Sequence, residues 1–212
     1  ESQLTTTNIA TVKSVKITSG TISSIQKKQY ATGLESITVI GNQNQANRSA
    51  EENNISQYQD SNSQYKYDAE NGTADVSPLL ANNDFGELGE LPNLQFIQMT
   101  GLGITSVSLM KNIAEKDSNI QYAYLDSNNI SDVSAFNGLS MPNLKTLNIA
   151  NNQISDISII KNLSMPALTT IDASYNQISD VSPITQANLT SLQYIYADNN
   201  HIAQIDAFKE ST

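Results

Sequence analysis

Aspartates are the residues of this chain best able to bind a cation. Asp126, Asp172 and Asp198 recur at similar places in a repeated phrase. The stretches 60–62 and 68–72 resemble fragments of a calcium loop. Ca²⁺ takes about six to eight oxygen ligands, and neither stretch completes the ligand pattern of a loop of about twelve residues. We therefore expect a solvated acidic stripe and predict no metal site.

Nucleophilic and redox chemistry have little support. The chain contains no cysteine and a single histidine, His201. Disulfides, thiolate chemistry and cysteine metal sites are therefore excluded. No set of serine, histidine and aspartate has independent support, and the glycine spacing gives no phosphate loop. We expect His201 to face solvent, and we predict neither enzyme activity nor a cofactor.

The charge of the chain limits its partners. The formal net charge is −10, and residues 43–90 contain nine acidic but only two basic side chains. Nucleic acid and anionic membranes repel such a chain. No apolar run approaches the roughly 18 residues of a membrane span. We expect neither nucleic-acid binding nor membrane insertion, and a monomer is favoured.

A repeated aliphatic phrase organises the second half of the sequence. Its copies lie 24 or 26 residues apart. They begin at Leu94, Ile120, Leu144, Leu168 and Leu192. The clearest copy is Leu144-x-x-Leu147-x-Ile149-x-x-Asn152-x-Ile154. A fixed period in the twenties with this spacing is the signature of a leucine-rich-repeat solenoid.

Weaker copies of the phrase begin near Val12 and Leu34, which gives about seven repeats in a single domain, 1–212. The interval from residue 34 to residue 94 is 60 residues, so repeat two carries additional chain. We assign this excess to an acidic, polar insertion at 43–72, with a smaller one near 81–90.

Each repeat continues with an aliphatic residue and then a helix-capping type of residue. These residues are Ser77, Ser108, Ser134, Ser158, Ser182 and, in the last repeat, Asp206. Ser and Asp oxygens accept hydrogen bonds from free N–H groups at helix starts, and we expect these residues to be N-caps. Pro78 and Pro183 follow at the position where a missing N–H costs nothing. A short helical or 3₁₀ turn is therefore predicted on the convex side of each repeat.

The asparagine that closes the phrase has a structural role of its own. It occurs at Asn42, Asn128, Asn152, Asn176 and Asn200. Stacked asparagine amides can satisfy the buried turn backbone of their own and the neighbouring coil. We expect an asparagine ladder that is broken at Gly20 and Leu102.

The positions between the aliphatics define a candidate binding surface. Because a strand alternates faces, the third, fifth and seventh positions point outward on the concave face. Later repeats place aromatics and aspartates there, and Tyr and Phe are enriched at interfaces. The alternative is that aromatics simply favour strands. The predicted partner-binding residues are Phe96, Tyr122, Tyr124, Asp126, Asn148, Asp172, Tyr175, Tyr194, Tyr196 and Asp198.

The phrase Asn-Gln-Ile-Ser-Asp-Ile/Val-Ser, at 152–158 and 176–182, resembles the internalin-type leucine-rich repeat of bacteria. The segments 29–34 and 3–12 resemble that family's first repeats and the end of its N-terminal cap. The resemblance implies a curved α/β-type solenoid with a parallel β-sheet on its concave side. It also implies a secreted or cell-surface protein of a Gram-positive bacterium that binds a host or surface protein.

Two other functions remain open at the level of sequence. The same tyrosines could stack sugars in a glycan-binding module. The chain could also be an intracellular leucine-rich-repeat scaffold. Dependence of binding on saccharides would separate the first from a protein-binding module, and a signal peptide in the full gene would eliminate the second.

Overall fold

Seven parallel strands form one sheet in the part of the chain described by the computed structural model, residues 13–17, 33, 35–40, 92–115 and 119–208. The strands follow each other in sequence order, so every coil of the chain adds one strand. They are β1 Ser14–Ile17, β2 Ser36–Ile40, β3 Phe96–Thr100, β4 Tyr122–Tyr124, β5 Thr146–Asn148, β6 Thr170–Asp172 and β7 Tyr194–Tyr196. The predicted solenoid with a parallel sheet is confirmed.

The strands pair so that equivalent repeat positions lie side by side. The third positions Ser36 and Phe96 are partners in β2 and β3, and Thr170 and Tyr194 are partners in β6 and β7. This register is kept between β2 and β3 although 60 residues separate the paired positions. The predicted repeat starts at Val12 and Leu34 and the insertions at 43–72 and 81–90 lie outside the described residues.

Short helical segments follow the strands, as predicted. They are helix α1 Ser108–Ala114, helix α2 Ser182–Gln186 and the 3₁₀ helices Ser134–Phe136, Ser158–Asn162 and Asp206–Phe208. Each begins at a serine or aspartate singled out in the sequence, and Pro183 lies in the first turn of α2. Ser77 and Pro78 fall outside the described residues.

The predicted N-cap role of the serines is wrong in its detail. At Ser134, Ser158 and Ser182 the serine is the first helical residue, and the cap residue before it makes no side-chain bond. An aspartate two residues earlier accepts the serine N–H instead, as in the Ser182 N–Asp180 Oδ1 bond of 2.8 Å. The physical reason is reach, because a side chain two residues upstream closes an Asx-type turn onto the free N–H.

The same contact is repeated in three coils. The carboxyls of Asp132, Asp156 and Asp180 each receive hydrogen bonds from the backbone N–H and the hydroxyl of the serine two residues on. These bonds favour the charged carboxylate and lower the pKa of all three aspartates. In the coil that contains helix α1, a serine occupies the position of these aspartates, and the Ser106 hydroxyl oxygen accepts the Ser108 N–H.

The aliphatic positions of the repeat form one continuous core between sheet and helices. Leu94, Leu144 and Leu168, the first residues of their repeats, are fully buried. In the last repeat the equivalent Leu192 is only partly buried, as are Ile195 and Ile202. The core therefore becomes more accessible towards β7.

The asparagine ladder is confirmed in the described coils. Asn152 donates from Nδ2 to the carbonyls of Leu125, Ile149 and Ala150 at 2.9–3.1 Å. Its Oδ1 accepts the N–H of Ile130, in the coil before, at 2.9 Å. The same pattern is found at Asn128, Asn176 and Asn200. At Leu102 the amide is missing, and the aliphatic side chain is buried instead; Gly20 and Asn42 lie outside the described residues.

Candidate protein-interaction surface

Two Tyr-x-Tyr-x-Asp segments occupy equivalent places on the concave face. Tyr122, Tyr124 and Asp126 lie on and just after β4, and Tyr194, Tyr196 and Asp198 lie on and just after β7. Residues two apart on a strand point to the same side. Strands β5 and β6 separate the two segments, which places them about 14 Å apart at the usual strand spacing. Seven of the ten predicted residues thus fall into two aromatic groups, and Asp126, Asn148 and Asp172 lie on or just after β4, β5 and β6.

The first group is an aromatic cluster on β3 and β4. The ring centroid of Phe96 lies 6.5 Å from that of Tyr122 and 5.4 Å from that of Tyr124, with tilted planes. Tilted arrangements at these distances are favourable between aromatic rings. The Lys145 ammonium lies 6.0 Å from the centroid of Tyr122, at the limit of a cation–π contact. We call Phe96, Tyr122 and Tyr124 the N-terminal aromatic cluster.

Tyr124 is buried within this cluster, with a relative exposure of only 5%. Burial, followed by the nearby Asp126 carboxylate and the Tyr122 ring, raises the pKa of the Tyr124 phenol well above its usual range. The phenol is therefore neutral at all physiological pH values. Tyr124 lies on the sheet face opposite the aliphatic core, so the concave side has a buried aromatic layer of its own.

The polar residues of the middle strands are also buried. Asp126, with 1% exposure, accepts a hydrogen bond from the Thr100 hydroxyl at 3.1 Å. Asn148 Oδ1 accepts the N–H of Ala150 at 2.9 Å, and Asp172 Oδ1 accepts that of Ser174 at 3.0 Å. The Asn148 and Asp172 side chains thus turn back onto the backbone that leaves their own strands, whereas Asp126 bonds to the preceding coil.

The prediction that Tyr124, Asp126, Asn148 and Asp172 point into solvent is therefore wrong. The alternation rule gives the face of the sheet correctly, but not the exposure on that face. Each of these residues has a neighbouring strand on both sides, about 4.8 Å away, whose side chains cover it. Exposure depends on those neighbours rather than on the repeat position.

The second group, around β6 and β7, is exposed. Tyr194 has a relative exposure of 54% and Tyr175 of 38%, and Asp198 is exposed as well. Tyr196 is partly buried and lies beside Asp172 in the sheet. We call Tyr175, Tyr194, Tyr196 and Asp198 the C-terminal aromatic surface. Gln193 is exposed next to Tyr194 and was not among the predicted residues. Its position directly before β7 is the only sequence signal that could have pointed to it.

Tyr175 stands at a special backbone position. It directly precedes the ladder Asn176, where the chain adopts a left-handed conformation with φ of 54°. The equivalent residues in the other described coils have φ between 51° and 68°. They are Gly101, Ser127, Asn151 and Asn199. Gly and Asn tolerate this region, whereas a bulky side chain there is uncommon.

The three aspartates considered as cation ligands do not meet. Among the described residues, no group of three or more His, Cys, Asp or Glu side chains is placed to hold a metal ion. Asp126 and Asp172 are buried, whereas Asp198 is exposed. His201 is exposed, in agreement with the expectation that it faces solvent.

The helices among the described residues are short. Within the residues that the structure covers, none has the length and apolar character required to cross a membrane.

Leucine-rich-repeat family models match the second half of the chain. The model described as "Leucine rich repeat" matches residues 142–202, and that described as "Leucine Rich repeats (2 copies)" matches residues 118–162. These ranges contain strands β4 to β7 and the C-terminal aromatic surface. A comparison with curated proteins gives no match.

Two solved structures from Listeria monocytogenes are similar over nearly the whole chain. An internalin (inlF) is 24% identical with a TM-score of 0.59, covering 96% of this chain and 53% of its own. An internalin C2 (inlC2) is 22% identical with a TM-score of 0.60, covering 99% of this chain and 81% of its own. The chain thus spans about half the length of the first relative. Together, the repeats, the sheet and these likenesses confirm the resemblance seen in the sequence: residues 118–202 match leucine-rich-repeat models, and the chain has the solenoid fold of the internalins.

Proposed function

We propose that the chain is a non-enzymatic protein-binding module and that its partner contacts the C-terminal aromatic surface. The observation that carries this proposal is the 54% exposure of Tyr194 on the concave face, with Tyr175 and Asp198 also exposed in the last two described coils. Large aromatic side chains are usually buried on folding, and an exposed group of them is typical of an interface. Tyrosine is also among the residues that dominate binding free energy.

The rigid sheet supports this role. Tyr194 and Tyr196 belong to β7, which is hydrogen-bonded to β6 along its length. A side chain on a fixed strand loses little backbone freedom when a partner binds, so less of the interaction energy is offset by ordering. In contrast, the rings of the N-terminal aromatic cluster pack against each other and stabilise the fold.

The internalin-type fold supports a proposal about localisation and partner. We propose an exported or cell-surface bacterial protein that recognises a host or surface protein. Two structural relatives are internalins of Listeria monocytogenes, and this supports the proposal. The net charge of −10 favours a partner with a basic contact surface.

The test compares two double variants against a panel of animal cell-surface ectodomains and a glycan array. Tyr194→Ala with Tyr196→Ala removes two rings of the C-terminal aromatic surface. Lys161→Ala with Gln186→Ala is the matched control, since both residues are exposed on convex helical segments. We expect an ectodomain to bind the wild type and the control equally and to bind the tyrosine variant at least tenfold more weakly.

Other outcomes reject or replace the proposal. Unchanged affinity of the tyrosine variant for the bound ectodomain would show that the surface is elsewhere. Saturable binding to a glycan, lost in the same variant, would assign the glycan-binding alternative. The absence of any ectodomain ligand would contradict a host-protein partner.

A further inference from the structure

The backbone at Tyr175 is fixed by the ladder and not by its own side chain. The Tyr175 N–H donates to the carbonyl of Asp198 in the next coil at 2.8 Å, and its carbonyl accepts the N–H of Asn152 in the previous coil at 3.2 Å. The Asn176 amide donates to the carbonyls of Ala173 and Ser174 around the same turn. The left-handed conformation is therefore required whatever residue occupies this position.

A tyrosine is a costly choice for such a position. A bulky side chain in the left-handed region is a strained outlier, and the other described coils have Gly, Ser or Asn there. The Tyr175 phenol and ring make no hydrogen bond or ring contact within the described residues, and 38% of the residue is exposed. Neither local conformation nor a hydrogen bond or ring contact among the described residues explains the tyrosine. An observed strain of this kind points to function.

Asp198 lies beside Tyr175. Because their backbones are hydrogen-bonded across adjacent coils, the two residues are about one strand spacing apart, near 5 Å. The Asp198 carboxylate is exposed and has no hydrogen bond or ion pair in the described part of the chain. At the same repeat position, Asp126 is buried and bonded to Thr100. Asp198 is thus the carboxylate of the two that is accessible to a partner.

The stretch of chain that carries this pair is acidic. Residues 162–208 contain four aspartates and no lysine or arginine. This acidic surrounding favours a cationic group on a partner at Asp198. A guanidinium fits such a place best, because its plane stacks on an aromatic ring while its N–H groups bind a carboxylate in a fork.

We propose that Tyr175 and Asp198 form a subsite for an arginine side chain of the partner. The guanidinium stacks on the Tyr175 ring and donates to the Asp198 carboxylate. This proposal rests on the proposed function and deepens it, since it names the side chain that the C-terminal aromatic surface recognises.

The probe is N-acetyl-arginine methylamide, titrated into the whole chain and followed by two-dimensional NMR of the tyrosine rings and backbone amides. We expect saturable shifts at Tyr175 and Asp198 with a Kd of about 10 mM, as a single stacked ion pair would give. The blocked citrulline analogue has the same shape but no charge, and it should give no saturable shift. The blocked lysine analogue should bind several-fold more weakly.

Two variants test the residues. Asp198→Asn should weaken arginine binding at least fivefold, whereas Asp180→Asn, which removes the same charge on the convex side, should leave it unchanged. Tyr175→Asn should weaken binding to a similar degree and raise the Tm by about 2 °C, because it relieves the strained position. A purely structural tyrosine would give the opposite change in Tm.

The failure of this proposal is distinct from that of the proposed function. Absence of saturable shifts, or equal binding by wild type and Asp198→Asn, overturns the arginine subsite. If the variant with Tyr194→Ala and Tyr196→Ala still loses its ectodomain ligand in that case, the proposed interaction surface stands without the arginine subsite. If the arginine probe binds but the ectodomain affinity is unaffected by Tyr194→Ala with Tyr196→Ala, the subsite stands and the larger surface is rejected.

Discussion

The two Tyr-x-Tyr-x-Asp segments of the concave face are nearly the same in sequence but differ in exposure at every equivalent position. In the β4 segment, Tyr122 is partly buried and Tyr124 and Asp126 are almost completely buried. In the β7 segment, Tyr194 is exposed, Tyr196 is partly buried and Asp198 is exposed. The repeat position and strand direction are equal, so neither explains the difference. What differs is the number of neighbouring strands, because β4 is flanked by β3 and β5, whereas β7 is the last strand of the sheet in the described residues.

This comparison separates two roles for the same residue types. In the β4 segment, Tyr124 packs against Phe96 and Asp126 accepts a hydrogen bond from Thr100, so both stabilise the coil. In the β7 segment of the described residues, Tyr194 and Asp198 are exposed, and we propose that they contact another molecule. A repeat phrase therefore specifies which face a side chain lies on, and the adjacent coils specify whether it is part of the structure or of the surface.

The largest expected difference is between Tyr124→Ala and Tyr194→Ala. Removing the buried Tyr124 ring leaves a cavity against Phe96 and should lower the free energy of unfolding by about 4 kcal/mol. Removing the exposed Tyr194 ring should change it by no more than about 0.5 kcal/mol. Urea denaturation of both variants measures this. Similar losses would show that the two segments do not differ in environment.

The asparagine ladder should show the same contrast with a smaller amplitude. Asn152→Ala leaves the N–H of Ile130 buried without an acceptor, and we expect a loss of about 3 kcal/mol. Asn200 makes the equivalent bonds but is partly exposed, so water can replace them. Asn200→Ala should cost about 1 kcal/mol. Amide hydrogen exchange at Ile130 and Ile178 would locate the loss in each variant. Equal loss of protection at the two amides would contradict the predicted difference between them.

The seventh positions Thr100 and Ser174 provide a finer comparison. Thr100→Val removes the hydroxyl that donates to Asp126 and should cost about 1 kcal/mol. The Ser174 hydroxyl is buried and has no hydrogen-bond partner among the described residues. Ser174→Ala should therefore be neutral or slightly stabilising, within about 0.5 kcal/mol, as Ala150 already occupies this position in the previous coil. A clear loss of Tm for Ser174→Ala would refute this reading of the site.

The smallest expected effect is the acid dependence of stability that arises from the capping aspartates on the convex side. The pKa of Asp132, Asp156 and Asp180 is lowered in the folded chain from the ordinary value of 3.8. The stability that these groups contribute is therefore present above pH 3.8 and is lost as the pH falls through their folded pKa. The triple Asp→Asn variant should have a flatter Tm profile below pH 3.8 and an almost unchanged Tm at neutral pH. The last coil has Gln204 at this position, so Gln204→Glu serves as a control that adds an acid where no such capping is expected.

Much of the fold could be predicted from the sequence because it depends on local spacing. The aliphatics of Leu144–Ile154 act within their own coil, and the ladder residue Asn152 bonds its own coil and the coil before it, so the repeat period predicts both. The Asp-x-Ser spacing is also visible in the sequence, but residue type alone favours Ser158 as much as Asp156 for the cap. The exposure of Tyr124 was not predictable, since it depends on Phe96, whose proximity follows only from the assembled sheet.

One feature of the sheet has a practical meaning for protein engineering. Strands β2 and β3 keep their register although 60 residues separate paired positions, compared with 24 for β5 and β6. Since the entropy of closing a loop grows only with the logarithm of its length, the longer connection costs about 0.8 kcal/mol more. A solenoid of this kind can therefore accept a foreign domain between those strands, such as a fluorescent reporter with adjacent termini, and still present the same concave face.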